Sequence, residues 1–154
     1  MNRRSIAPGV RLISAFLIVG GIAGIAAVLW AETGALILSD LIFLGFALLV
    51  FGASVWVGAD LWKGKPQSYK WAQLLFLFQI PTVSFHGFAF QFYLALVLGL
   101  SFSREAASRL NIEFELGSSL NVKISPQIES LVVGVNMVAI AALIYLIKKE
   151  REVQ

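Results

Sequence analysis

Hydrophobic positions along the chain gather into four long runs, broken by short polar links and one longer one. The first run is Leu12 to Trp30. As a helix, its 19 residues would extend about 28 Å, close to the thickness of bilayer hydrocarbon. It outlasts the usual 7–15-residue core of a secretion signal and ends in bulky Leu29-Trp30, so a retained helix is expected. The second run is Ala35 to Trp62, with Ser39 and Asp40 as helix-capping types near its start. The third is Ala72 to Leu100 and the fourth Ile128 to Ile147. Read by length and apolarity, these are transmembrane helices at about 12–30, 38–62, 72–100 and 128–147. The fold class expected is therefore all-α: one integral membrane domain over residues 1–154, a bundle of four transmembrane helices.

The third run departs from a simple span. At 29 residues it would be about 43 Å long as a straight helix, and tilt alone would have to reach roughly 45° to fit it. It also carries Gln79, Pro81, Thr82, Ser84, His86, Gly87 and Gln91. Pro81 cannot donate to a helical hydrogen bond and crowds the carbonyl of Leu77, which predicts a helix kink of more than about 20° there.

Residues 101–127 form the only sizeable polar segment, expected to lie outside the membrane, with a short helix over Arg104–Leu110. Within it, Ile112, Phe114 and Leu116 alternate with polar residues, as do Leu120, Val122 and Ile124, around Gly117-Ser118-Ser119. That pattern predicts a small β-hairpin in which Phe114 faces Val122, Leu116 faces Leu120 and Glu113 faces Lys123.

Composition agrees with a membrane setting. The chain of 154 residues is 58% hydrophobic and only 14% charged, against about a quarter charged in soluble domains. Its net charge of +3 is not spread over a basic face, so nucleic-acid binding is not expected. The basic residues instead mark an orientation. Arg3, Arg4 and Arg11, then Lys63, Lys65 and Lys70, then Lys148, Lys149 and Arg151 would share one side, against Arg104, Arg109 and Lys123 on the other. Positively charged loops stay inside, which puts both termini in the cytoplasm and the protein in a plasma (bacterial inner) membrane.

Little chemistry is available. Cysteine is absent, which removes disulfides, thiolate metal sites and thiol catalysis. His86 is the single histidine, with no second histidine or carboxylate at ligand spacing, so no metal and no cofactor is expected. Gln79, His86 and Tyr93 recur at sevens on one face of a helical third run, with Gln91 beside them. Gln79, His86 and Gln91 are thus the candidate binding residues, in competition with plain interhelical hydrogen bonding, and His86 is expected to face the bundle interior. Small residues at Gly20/Gly24 and Gly45/Gly52/Ala59 allow close helix approach, and Asn136 is a further polar contact in the fourth run.

No nucleophile, base or acid is positioned for catalysis, so an enzyme is not expected. The function these observations favour is a non-enzymatic accessory or scaffold subunit, with the bilayer and a membrane-protein partner or a second copy as its contacts. The alternative is a small oligomeric transporter or channel using the polar third helix.

Overall fold

The computed structural model describes residues 6–31, 38–103, 109–124 and 131–153. Helices α1 (Pro8–Ala31) and α2 (Leu38–Trp62) agree with the first two runs. A tight turn then leads into α3 (Pro66–Gln79). Six strands follow: β1 (Pro81–Phe85), β2 (Phe88–Tyr93), β3 (Leu96–Ser103), β4 (Arg109–Leu116), β5 (Ser119–Ile124) and β6 (Val132–Asn136). Helix α4 (Met137–Val153) closes the chain. The expected all-α, four-span bundle is therefore corrected to a mixed α/β fold with one six-stranded antiparallel sheet. Among the described residues only two helices, Pro8–Trp30 and Leu41–Trp62, are long and apolar enough to cross a membrane, so a multi-pass bundle of four spans is not what the chain forms.

Pro81 is where the expectation and the structure part. It stops α3 instead of kinking it. Proline brings no N–H to continue the ladder and its ring crowds the turn before it, so the helical conformation reaches Ile80 and goes no further. Ile80 still closes the last turn by donating to the Leu77 carbonyl, and the chain then enters β1. At 14 residues, α3 is about 21 Å long, too short to span. The fourth run divides in the same way. Its first part is β6, and Asn136 starts the helix, its Oδ1 accepting from the N–H groups of Val138 and Ala139 at 3.1 and 3.4 Å. Asn136 is thus a helix cap.

The sheet order is β4-β3-β6-β1-β2-β5. Strands β4 and β5 lie at opposite ends of that order, yet only Gly117 and Ser118 join them. Both facts hold because residues 88–103 and 109–124 form one long antiparallel ribbon. Leu96 pairs with Leu116 and Tyr93 with Ser119, in the same register on both sides of a bend. The expected hairpin is corrected accordingly. Its two arms are strands, but Phe114 pairs with Leu98 and Val122 with Phe90. Eight pairs on β3 and six on β2 outweigh the few that a local hairpin offers. The short helix expected over Arg104–Leu110 falls largely on 104–108, outside the described residues, and β4 already begins at Arg109.

Bending is concentrated at Leu94–Ala95 and Gly117–Ser118. Ala95 has a φ of 62° and Gly117 one of 144°. The strained alanine is held from both sides: its N–H donates to Ser118 Oγ and its carbonyl accepts from Gly117, each at 3.0 Å. Folding the ribbon over lets β1 pair with β2, β6 with β3, and β1 with β6, so the six strands join in one sheet with β4 and β5 at its two edges.

Helices and sheet meet around α1. Phe51 on α2 is fully buried, and its ring lies 6.1 Å from that of Phe92 on β2. A Cβ on Gly24 would run into the Phe51 ring, and one on Gly20 would stand 2.9 Å from the Ala95 nitrogen. The Gly20/Gly24 pair therefore serves internal packing, against α2 and against the ribbon bend. A methyl group added to Gly45 or Gly52 would meet nothing within 4 Å, so both face outward. At one end of the molecule Gly9 lies against Tyr145, Ile6 against Gly64, and Gln73 donates to Glu150 at 2.7 Å. The start of α1, the 62–66 turn and the end of α4 thus meet there, bringing Arg11, Lys63, Lys65, Lys148, Lys149 and Arg151 to one end.

These contacts separate two glycines of similar helical setting. Gly20→Ala should cost about 1–3 kcal/mol, because the added methyl meets backbone that cannot move away. Gly52→Ala should be neutral or stabilising by up to about 1 kcal/mol through helix propensity. Thermal unfolding of the detergent-solubilised protein distinguishes them, and equal effects would contradict the Gly20–Ala95 contact.

Candidate functional site in the two faces of the sheet

Register assigns every strand residue to one of two faces, because side chains alternate. One row across all six strands reads Asn121, Gln91, Thr82, Gly134, Ser101, Asn111. The next row reads Val122, Phe90, Val83, Val133, Phe102, Leu110. One face is thus polar or small and the other wholly apolar.

The arrangement is inverted relative to a water-soluble sheet. On the polar face Ser101 and Asn136 are buried at 4% and 3% exposure, and Gly99 and Gly134 are buried too. Between β3 and β6 this face is tightly packed, since a Cβ on Gly134 would stand 2.9 Å from the Ser101 Cβ. Ser101 Oγ donates to Glu113 Oε1 at 3.3 Å, and the Tyr93 hydroxyl hydrogen-bonds the Glu115 carboxylate and the Ser119 hydroxyl. Asn136 Nδ2 is the one buried side-chain atom among the described residues with no hydrogen-bond partner. Helices cover the apolar face around Phe90, Phe92 and Leu120. Beyond them Ile112, Phe114, Leu116 and Val133 stand 72%, 68%, 73% and 50% exposed. Edge strand β4 exposes both of its faces.

The candidate binding residues do not come together. Gln79 is 2% exposed at the end of α3, where its Nε2 donates to the Leu75 carbonyl and its Oε1 accepts from the Leu94 N–H at 3.2 Å. It ties α3 to the ribbon bend. His86 sits in the two-residue turn between β1 and β2, with Gly87 at φ 80°, and is exposed, so the expected inward placement is corrected. Gln91 lies in the polar row between Thr82 and Asn121. The seven-residue spacing of Gln79, His86 and Tyr93, with Gln91 beside them, had meaning only on a helix. Among the described residues there is no group of three or more potential metal ligands. The residues that sequence reasoning missed are the outward ones of β3 and β6. Their signal was present, since Leu96, Leu98, Leu100 and Phe102 alternate with Val97, Gly99, Ser101 and Ser103.

Gln79→Leu should leave the buried Leu94 N–H unpaired and lower stability by about 1–3 kcal/mol. His86→Ala, in an exposed turn, should change it by less than about 0.5 kcal/mol. Denaturant or thermal unfolding of both variants tests this, and a large loss from His86→Ala alone would reverse the assignment. Compared with protein-family models, with curated proteins and with solved structures, the chain finds no match.

Proposed function

We propose that this protein is a membrane-inserted accessory subunit without a catalytic centre. It is held in the bilayer by the α1–α2 hairpin, and it offers the outward apolar face of its sheet to hydrocarbon and to a partner. The observation that carries this reading is the inverted sheet. A contiguous apolar face that stays exposed marks a membrane or protein interaction surface. The two long helices support it: only 33% and 28% of their apolar windows are buried, unlike the core helix of a soluble domain. Outward residues such as Val19, Ile42 and Leu49 are more than half exposed.

The basic end of the molecule gives the orientation. With Arg11, Lys63, Lys65 and the α4 lysines together, that end and both termini face the cytoplasm. Strand β4 supplies the place for a protein contact. Its outer edge carries unpaired N–H and C=O groups, which hydrocarbon alone does not tolerate and which a partner strand satisfies. The transport reading drew on a polar helix over the whole third run, which is helical only as far as Gln79.

Absence of cysteine makes the test direct. Single cysteines placed at each position from 110 to 116 and spin-labelled in liposomes should show accessibility with a period of two. Leu110, Ile112, Phe114 and Leu116 should collide with oxygen, the lipid-soluble reagent. Asn111, Glu113 and Glu115 should collide with a water-soluble nickel chelate. Protection of the apolar set from both reagents identifies a protein contact on that face and also supports the reading. Chelate access to all seven positions, or release of the protein by alkaline carbonate, would overturn it.

A further inference from the structure

We propose that the protein carries a specific site for one anionic phospholipid, between α2, α3 and the sheet. This rests on the membrane reading above and adds a ligand to it. A groove of about 490 Å³ runs between these elements, within the range of small-molecule sites. Leu49, Ala53 and Trp56 on α2, Trp71 and Phe78 on α3, and Phe90 on β2 are among its walls, which are apolar throughout. From Phe46 to Trp56 the groove follows α2 for about 15 Å, half the thickness of the hydrocarbon core. It is as deep as one leaflet.

At the Trp56–Trp71 end the groove changes character. A second cavity of about 210 Å³ shares Trp56, Val57 and Trp71 with it and is lined by Asp60, Lys65, Gln67 and Ser68. Lys65 Nζ stands 2.8 Å from Asp60 Oδ1 and remains half exposed. Lys63 and Lys70 are exposed close by in sequence, so three lysines stand against one carboxylate. An apolar slot one leaflet deep, two tryptophans at its mouth and a basic polar pocket beyond them match the three zones of a lipid. These zones are acyl chain, interface and anionic headgroup. The basic end is the cytoplasmic one, where anionic lipids are attracted to lysine clusters. The acyl chain lies along Leu49, Ala53 and Phe78, and the phosphate sits beside Lys65.

The test uses tryptophan fluorescence of the full chain in nanodiscs, with Trp30 and Trp62 replaced by phenylalanine so that Trp56 and Trp71 report. Brominated phosphatidylglycerol should quench them at lower mole fraction than brominated phosphatidylcholine. Lys65→Gln should reduce that preference about fivefold, the factor one lysine near an anionic surface contributes. Ala53→Phe fills the groove from an exposed position without touching the buried core, and should abolish the preference while leaving the helix content unchanged. Equal quenching by the two lipids, or a preference untouched by Ala53→Phe, would overturn the site while leaving membrane insertion intact. No quenching by either lipid would overturn insertion as well.

Discussion

The double bend at Leu94–Ala95 and Gly117–Ser118 is the constraint on which the rest depends. A straight ribbon of this length would carry β3 and β4 away from the helices and leave β1 and β6 without second neighbours. Folding it over gives β6 a partner on each side, Thr82 and Ser101 both meeting Gly134. The bend asks for a left-handed residue at Ala95, an unfavourable conformation by about 1–2 kcal/mol for a residue with a Cβ. Four contacts hold it there: Ser118 and Gly117 across the ribbon, Gln79 on the Leu94 N–H, and the bare face of α1 at Gly20. They come from three separate parts of the chain, so the bend is also where helices and sheet are tied together.

A second joint lies beside Gln79, one residue along the chain. The Asn136 N–H donates to the Ile80 carbonyl at 2.9 Å, so the end of α3 and the start of α4 leave the sheet side by side. From there both helices run toward the basic end, and their polar residues meet at Gln73 and Glu150. Burial of the Tyr69 ring, together with the nearby Tyr145, holds its hydroxyl above the usual tyrosine range, so it stays protonated in this packed corner. Half-length helices thus flank one end of α1 and α2 while the ribbon bend reaches their middle.

This arrangement accounts for the inverted sheet. Hydropathy over 72–100 is high because the outward positions, among them Leu74, Leu77 and Phe78 on α3 and Phe85 and Leu98 on the strands, are apolar. On the opposite face Gly134 and Ser101 lie too close for larger side chains, and the Ser101 hydroxyl is bonded to Glu113. Exposed Ile112 and Phe114 and the slot beside Trp56 and Trp71 then belong to one continuous solution: surface that water would penalise is turned toward lipid or a partner.

Local physics settled part of this in the sequence. Runs 12–30 and 38–62 are long, apolar and unbroken, and a segment of that kind forms a helix on its own hydrogen bonds wherever it lies. Alternation at 111–116 and 119–124 likewise fixed two strands, since period-two burial needs no knowledge of the partner. Clustered lysines and arginines already marked the end that α4, α1 and the 62–66 turn share. Pairing was beyond local reach. Phe114 is equally compatible with Val122 or Leu98, and only the distant, matching alternation of 88–103 decided between them. Pro81 was open in the same way, because a proline kinks a helix that has neighbours to hold it and ends one that has a sheet to enter. With residues 81–103 in strands, the spacing of Gln79, His86 and Gln91 lost its helical meaning. The candidate site then moved to a groove whose walls come from α2, α3 and β2, which no single stretch of sequence contains.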